Sequence, residues 1–200
     1  MVVTRYNGNT CFTVRGPESK ATPFQLSSVG AEWLGILFKL GTVMPHLPAS
    51  SLVDRDLNLP DASSRSFWLN GSAWQFPDYE NADTFVARLV REGLLVSNPV
   101  IESALQGQLK DQSIRNARRH FLRTTGLTQS IIRQIERARY ATILLQEGAS
   151  ILDTVFKAGY SDQPHLTKSL KYFIGKTPAQ IRGKGKSEQL SFLYKTSPPD

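Results

Sequence analysis

Four glycines divide the segment from Asp111 to Arg182 into helical stretches of defined length, and this division limits the possible folds more than any other sequence feature. They are Gly126, Gly148, Gly159 and Gly175. Glycine adopts the left-handed backbone conformation that commonly ends a helix, so each one predicts a helix end. Between them, apolar residues recur every three to four positions, as on the buried face of an amphipathic helix. The segment is therefore predicted to form several short helices that pack together.

The second half of this segment has a helix-turn-helix pattern. Ser150 suits the N-cap of a helix through Lys157, and a glycine-containing turn leads to Asp162, which caps a longer helix. This longer helix is predicted to bury Leu166, Leu170 and Phe173 and to expose Gln163, Thr167, Lys168 and Lys171. A last short helix is expected from Thr177 onward. A short helix, a turn and a longer helix with a polar outer face are typical of DNA-binding helix-turn-helix units.

The first half predicts another unit of the same kind. A helix capped by Ser113 is expected to end at Gly126, and front helices are expected between Ile101 and Leu109. Its apolar positions are Ile114, Ala117 and Phe121, which leaves Arg115, Arg118 and Arg119 on the opposite face. Three arginines on one outward stripe need a counter-charge.

Residues Gln129 to Gln146 are predicted to form one continuous helix that bridges the two units. The apolar residues with the 3.6-residue helical period are Ile131, Ile132, Ile135, Ala138, Ala141, Leu144 and Leu145. At ~1.5 Å per residue the helix would be roughly 27 Å long. Since one DNA turn measures ~34 Å, one chain is predicted to place two recognition helices in successive major grooves.

These residues and spacings resemble the AraC/XylS family of bacterial transcription regulators over residues 104–182. The matching residues are Ser113, Arg115, Arg119, Phe121, Gly126, Ala141, Leu145, Ser150, Ile151, Gly159, Tyr160, Asp162, His165, Lys171, Gly175, Thr177, Pro178 and Arg182. The resemblance implies a domain that binds double-stranded DNA. It also implies a transcription regulator without a cofactor, either an activator or a repressor, for which RNA polymerase and a small-molecule effector are further candidate partners.

The same resemblance assigns roles to individual side chains. From the first unit it implies base contacts by Arg115, Arg118 and Arg119. From the second unit it implies base contacts by Gln163, His165, Thr167 and Lys168. Arg123 and Lys171 complete the predicted DNA-binding set. Because arginine pairs well with the O6 and N7 acceptors of guanine, the first half-site is expected to contain guanine.

Charge is distributed unevenly along the chain, whose formal net charge is +7. The net charge is −2 for residues 1–109, +10 for residues 110–186 and −1 for the last fourteen. A positive surface confined to a helical segment is typical of a nucleic-acid-binding domain rather than of a generally basic protein. The alternative interpretation is a solvated helical face without a partner.

Composition argues against several other classes. No apolar run approaches the roughly 20 residues that span a bilayer, and the first residues lack the apolar core of a signal peptide, so we expect a cytoplasmic protein without a membrane partner. The single cysteine, Cys11, excludes an intramolecular disulfide and a thiolate metal cluster. The histidines His46, His120 and His165 lack metal-ligand spacing, and no phosphate-binding glycine loop is present. Neither an enzyme nor a metal site is predicted.

The first 97 residues predict a small antiparallel sheet with additional short helices. The expected elements are strands at residues 10–15, 23–26 and 33–40, short helices around Ala49–Asp54 and Ser64–Leu69, and an amphipathic helix from Asp83 to Glu92. Phe85 and Leu89 are predicted to face inward from that last helix. The segment Val96–Pro99 is interpreted as a linker, with a domain boundary near Asn98.

An aromatic cluster in this region has two interpretations. It comprises Phe67, Trp68, Trp74, Phe76 and Tyr79. Aromatic rings line many ligand pockets, and they also fill small cores and dimer contacts. A pocket would agree with a loose resemblance of this region to a shortened form of the sensor domain that some AraC/XylS-type regulators carry.

The sequence as a whole predicts an α+β protein. A small antiparallel-sheet domain is expected at residues 1–97, an all-α double helix-turn-helix domain at 98–183 and a C-terminal tail at 184–200. The predicted function is a sequence-specific DNA-binding transcription regulator that contacts two successive major-groove segments. The alternative is a passive DNA-binding module that senses no ligand and antagonises a related regulator.

Overall fold

The computed structural model describes residues 1–22, 30–39, 41–98 and 114–183 of the chain. Contacts between residues divide the chain into two compact units. The N-terminal unit comprises residues 1–18 and 24–129, and the C-terminal unit comprises residues 19–23 and 130–200. The described part of the N-terminal unit is rich in antiparallel strands and that of the C-terminal unit is helical, which confirms the predicted α+β class.

Residues 1–98 of the N-terminal unit contain nine described strands. The strands are β1 (Val2–Tyr6), β2 (Asn9–Arg15), β3 (Glu32–Gly35), β4 (Thr42–Val43), β5 (Asp56–Asn58), β6 (Asp61–Ser63), β7 (Ser66–Leu69), β8 (Ser72–Gln75) and β9 (Val96–Ser97). A 3-10 helix spans Ala49–Ser51, and helix α1 spans Ala82–Arg91. The predicted strand at residues 10–15 and the predicted amphipathic helix are therefore confirmed. The predicted strand at residues 23–26 lies outside the described residues.

The strands form three antiparallel sheets. Their orders are β3-β1-β2-β5, β6-β7-β8 and β4-β9. The hairpins β1–β2 and β7–β8 turn at Asn7-Gly8 and Asn70-Gly71, where all four residues have positive φ. Asparagine and glycine tolerate this conformation better than other residues, so each pair supports a two-residue hairpin turn.

The segment Ser64–Leu69 was predicted to be a short helix, and this prediction is wrong. Its last four residues form β7, which pairs with β8 in register from Ser66 with Gln75 to Leu69 with Ser72. Phe67 and Leu69 are buried whereas Trp68 between them is exposed. Burial that alternates with a period of two belongs to a strand, so tertiary packing together with the tight turn at residues 70 and 71 selects the hairpin.

The predicted linker and the predicted strand at residues 33–40 also need correction. Val96 and Ser97 form β9 and pair with β4, and the Asn98 N–H donates to the Gly41 carbonyl at 2.9 Å. The preceding Leu94 and Leu95 are buried, so this part of the chain is held on the core instead of forming a linker. The strand β3 ends at Gly35.

Aromatic rings fill the core of the N-terminal unit. Phe67, Trp74 and Phe76 of the aromatic cluster are buried, and Trp68 and Tyr79 are exposed. The Phe67 and Phe12 ring centroids are 4.3 Å apart. Rings that pack against one another at this distance contribute to a close-packed core. The three buried members therefore act as core residues, which is one of the two interpretations of the cluster.

Five described helices follow. They are α2 (Ile114–Thr125), α3 (Gln129–Gln146), α4 (Ile151–Lys157), α5 (Gln163–Phe173) and α6 (Pro178–Gly183). The predicted bounds of the bridging helix α3 and the predicted helices α4, α5 and α6 are confirmed. The cap at Ser113, the front helices between Ile101 and Leu109 and the tail at 184–200 lie outside the described residues.

Helix α2 belongs to the N-terminal unit, and α3 from Ser130 onward belongs to the C-terminal unit. The core of the C-terminal unit brings together buried residues of α3, α5 and α6, including Ala138, Ala141, Leu145, Leu166, Leu170 and Ile181. Contacts thus divide the chain after Gln129. The functional boundary expected near Asn98 remains a prediction, since residues 99–113 are not described.

Candidate nucleic-acid interface

Side-chain caps at both helices define the helix-turn-helix of the C-terminal unit. The Ser150 hydroxyl accepts a hydrogen bond from the Asp153 N–H at 3.0 Å at the start of α4. The Asp162 carboxylate accepts one from the His165 N–H at 2.7 Å at the start of α5. Each bond satisfies a backbone donor that the first helical turn leaves unpaired. Gly159, with φ of +68°, lies in the turn between the helices.

The turn is fixed from its buried side by Tyr160. Its hydroxyl lies 3.0 Å from the Ser169 hydroxyl of α5. The Arg137 guanidinium of α3 lies 4.4 Å from the centre of the Tyr160 ring and donates a hydrogen bond to the Gly159 carbonyl at 3.4 Å. These contacts connect the turn to the bridging helix α3 and to α5. The orientation of α5 is therefore restrained by side chains as well as by the core.

Helix α5 has one buried and one exposed face. Leu166 and Leu170 are completely buried, and Phe173 is half-buried against the same core. Four of the predicted DNA-binding residues are exposed and one, Thr167, is half-buried; the exposed ones are Gln163, His165, Lys168 and Lys171. The spacing of three and four positions places polar side chains along one side of the helix.

The exposed lysines of α5 have no counter-ion among the residues that the structure describes. No described carboxylate forms an ion pair with Lys168 or Lys171, and the ion pairs found within the described ranges lie in the N-terminal unit. Asp162 is engaged as the helix cap. An uncompensated cationic face attracts an anionic partner such as a phosphate backbone.

Helix α2 carries the predicted DNA-binding residues of the first unit. Arg119 and Arg123, four residues apart, are exposed, whereas Phe121 is only 3% exposed. Arg115 and Arg118 lie in the same helix, but their side chains are outside the described residues. The exposed arginines and the buried phenylalanine agree with the predicted division of this helix into an outer and an inner face.

The C-terminal end of α2 packs closely on a distant segment of its own unit. Helix α2 ends at Thr125, and the next residue, Gly126, has a φ of +74°. A methyl group added there would lie 2.7 Å from Val53 Cγ2 and 2.9 Å from the Ala49 carbonyl oxygen. Glycine is therefore needed for its backbone conformation and for its small size. This contact places the end of α2 against the 3-10 helix.

Sequence reasoning missed two residues that hold this site together. Ser161 precedes the cap of α5 and its hydroxyl lies 3.0 Å from His165 Nδ1. Arg137 contacts the turn from α3. The spacing of Ser161 and His165, four residues apart across a helix start, is a local signal that could have been noticed. The role of Arg137 depends on contacts across 22 residues, which no local pattern reveals.

Two further structural findings bear on other functions. No group of His, Cys, Asp and Glu side chains in the described part of the chain is arranged to hold a metal ion. No helix in those ranges is both long enough and apolar enough to cross a membrane.

Comparison with known proteins adds an independent finding. Residues 111–184, more than a third of the chain, match the model of a helix-turn-helix domain family of the AraC type. No curated protein and no solved structure matches the chain significantly. The match covers α2 to α6 and therefore includes both exposed basic helices described above. Thus, the chain carries an AraC-type helix-turn-helix domain at residues 111–184 and is a DNA-binding transcription regulator.

Proposed function

We propose that this regulator recognises a specific DNA sequence with two recognition helices, α2 and α5. The observation that carries the proposal is the exposed polar face of α5, where Lys168 and Lys171 have no described ion-pair partner. The exposed Arg119 and Arg123 give α2 a similar basic face. Both helices lie within the matched helix-turn-helix region.

Phosphate contacts and base contacts have separate roles in this proposal. Lysine and arginine side chains and helix N-termini bind phosphates and release counter-ions, which supplies affinity for any sequence. Arg115, Arg118 and Arg119 contact base edges from α2, and Gln163, His165, Thr167 and Lys168 do so from α5. Arginine favours guanine, so the segment bound by α2 contains guanine.

The bridging helix α3 sets the spacing of the two contacts in this proposal. Its 18 residues correspond to roughly 27 Å at ~1.5 Å per residue, close to one DNA turn. One monomer then contacts two major-groove segments about 10 base pairs apart on one face of the duplex. Because the two helices present different side chains, the two segments differ in sequence and the site of one monomer is not a palindrome.

By analogy with the family, the proposed regulator acts in the cytoplasm and activates transcription through RNA polymerase. A small-molecule effector controls this activity. The alternative, a passive module that antagonises a related regulator, is supported by one observation. Phe67, Trp74 and Phe76 contribute to a packed core, so these rings are not left to line a pocket. A change in DNA affinity or thermal stability on addition of an effector would favour the sensing regulator.

Selection of bound sites from a random DNA pool tests the proposal most directly. We expect an enriched site with two unlike segments, and footprinting of a monomer on it should protect both. A single protected segment, or a palindrome that requires two chains each supplying one helix, would contradict the two-helix proposal. The triple variant Arg115→Ala, Arg118→Ala, Arg119→Ala should lose specific binding while its circular dichroism stays unchanged.

The salt dependence of binding tests the phosphate contacts. Residues 110–186 carry a net charge of +10, enough to neutralise several phosphates. With roughly six to ten contacts, affinity should fall by ~10³ to 10⁵ between 50 and 200 mM salt. A nearly flat dependence would show that phosphates do not dominate the affinity.

A further inference from the structure

The imidazole of His165 is held at two places at the start of α5. Its Nδ1 atom lies 3.0 Å from the Ser161 hydroxyl oxygen. Its ring packs against Tyr160 in an edge-to-face arrangement, with centroids 5.1 Å apart. The residue as a whole is exposed. An exposed side chain that is fixed in this way is positioned for contact with a partner before the partner arrives.

The hydrogen bonds of Ser161 determine which imidazole nitrogen carries the proton. A serine hydroxyl has one proton to donate and can accept further hydrogen bonds. The Ser161 hydroxyl donates to the Asp162 carboxylate at 3.1 Å, and an ionised carboxylate can only accept. The remaining bond of Ser161 must therefore be accepted from His165 Nδ1–H. In neutral His165 the proton lies on Nδ1, and Nε2 becomes a hydrogen-bond acceptor.

The Tyr160 ring that supports the imidazole is itself well restrained. It is buried, its hydroxyl lies 3.0 Å from the Ser169 hydroxyl, and Arg137 covers its ring at 4.4 Å. The direction of the His165 ring is thus connected to the core of the C-terminal unit. No described group forms a hydrogen bond with Nε2, which leaves this atom available to a partner.

We propose that Nε2 of neutral His165 accepts a hydrogen bond from an exocyclic amine in the DNA major groove, with Ser161 as the positioning residue that sets the tautomer. Two bases offer such a donor on the major-groove edge, adenine at N6 and cytosine at N4. Guanine offers only N7 and O6 acceptors there and thymine only the O4 acceptor, so both are disfavoured. This inference rests on the proposed function, in which α5 enters the major groove.

The tautomer can be measured in the full chain without DNA. Nitrogen-15 chemical shifts of the imidazole, recorded at about pH 8 where an ordinary imidazole is neutral, distinguish a protonated from an unprotonated ring nitrogen. We expect Nδ1–H for His165 in the wild type and in Ser161→Thr, which keeps the hydroxyl, and a loss of that form in Ser161→Ala. Ser130→Ala, which removes another exposed serine of this unit, serves as the control. An Nε2–H tautomer in the wild type would overturn the inference.

The DNA contact is tested with the selected site. At one position the wild type should prefer adenine or cytosine on one strand. Replacing adenine by purine, or cytosine by 2-pyrimidinone, removes the amine alone, and the replacement that matches the selected base should weaken binding about two- to tenfold. His165→Ala should abolish this discrimination, and Ser161→Ala should reduce it. Equal weakening by His165→Ala on all sequences would indicate a phosphate contact and overturn the inference.

The two measurements separate this inference from the proposed function. If the wild type binds no specific sequence, the proposed function fails and the base contact fails with it, although the tautomer is still measured. The other outcome is that the wild type binds its selected site, and binds the sites that contain purine or 2-pyrimidinone with the same affinity. The proposed function then stands and only the His165 contact is wrong.

Discussion

The region around α5 and the region around α2 are stabilised by different kinds of contact. Around α5, Ser150 and Asp162 each cap a helix with a bond to a residue three positions later. The end of α2 instead depends on a close approach of Gly126 to Ala49 and Val53, which come much earlier in the chain. The helix starts of the first region depend on short-range bonds, whereas the end of α2 depends on the folded N-terminal unit.

This difference has a functional consequence. If α2 and α5 both contact DNA, one recognition helix is part of the N-terminal unit and the other belongs to the C-terminal unit. A change in the N-terminal unit would then affect the DNA contacts of α2 more than those of α5. The three tryptophans, Trp33, Trp68 and Trp74, all lie in the N-terminal unit. Tryptophan fluorescence therefore monitors that unit, while far-ultraviolet circular dichroism is dominated by the helices.

The largest effect is expected for Ala138→Pro in α3. Ala138 is completely buried, and proline at this position removes a helical hydrogen bond and clashes with the preceding turn. The lost hydrogen bond, the clash and overpacking of the core should together lower the free energy of unfolding of the C-terminal unit by about 4 kcal/mol or more. In urea unfolding, the circular dichroism transition should move and the fluorescence transition should not. The control is Arg133→Ala, on the exposed side of α3. A shift of the fluorescence transition in Ala138→Pro would contradict the separate stability of the two regions.

Gly126, at the end of α2, and Gly159, in the turn before α5, test the difference between the two regions directly. Both have positive φ, so alanine at either position is strained by about 1 to 2 kcal/mol. Only at Gly126 does an added methyl group meet other atoms, so Gly126→Ala should cost about 2 to 4 kcal/mol in total. The fluorescence transition should shift for Gly126→Ala and stay in place for Gly159→Ala. Equal costs for the two variants would mean that the packing at Ala49 and Val53 contributes nothing.

Single substitutions on the two exposed faces should separate their DNA contacts. Arg119→Ala and Lys168→Ala should each weaken specific binding by about 1 to 3 kcal/mol without changing the fold, because both residues are exposed. Footprinting should show reduced protection in a different segment for each variant. Arg65→Ala, an exposed arginine of the N-terminal unit, should bind like the wild type. Loss of the same segment in both variants would refute separate contacts by α2 and α5.

The smallest effects are expected from the helix caps around α5. Asp162→Ala and Ser150→Ala each remove a bond to a backbone N–H, which costs about 1 kcal/mol. Replacement by asparagine at position 162 should recover most of this loss, since its side-chain oxygen can also accept the bond. Asp61→Ala, at an exposed strand position, is the control. Urea unfolding followed by circular dichroism measures the difference, and no shift for Asp162→Ala would show that the cap is not needed.

Elements with strong local signals were predicted correctly. The bounds of α3 follow from its apolar period and Gly148, and those of α4 and α5 follow from Ser150, Asp162 and the glycines after them. The exposed positions Gln163, His165, Lys168 and Lys171 follow from the same period. Such signals act within a few residues, so no knowledge of the rest of the chain is needed.

The errors occurred where distant segments decide the structure. The run Ser66–Leu69 contains residues compatible with helix or strand, and pairing with β8 together with burial of Phe67 selected the strand. One omission had a local signal, since the Asn7-Gly8 pair favours a two-residue hairpin turn and the predicted strands did not include β1. Val96 and Ser97 pair with β4, more than fifty residues earlier, which a polar segment alone does not indicate.

The sequence by itself determined the helical class of residues 114–183, their caps and stops, and the exposed basic faces of α2 and α5, because these depend on spacing and on bonds between near neighbours. Only the tertiary structure decided that α2 packs with the N-terminal unit, that Arg137 covers Tyr160 and that three aromatic rings enter the core. Each of these results requires residues far apart in sequence to meet. The energy of such contacts depends on the folded arrangement as a whole and is not encoded in any short pattern.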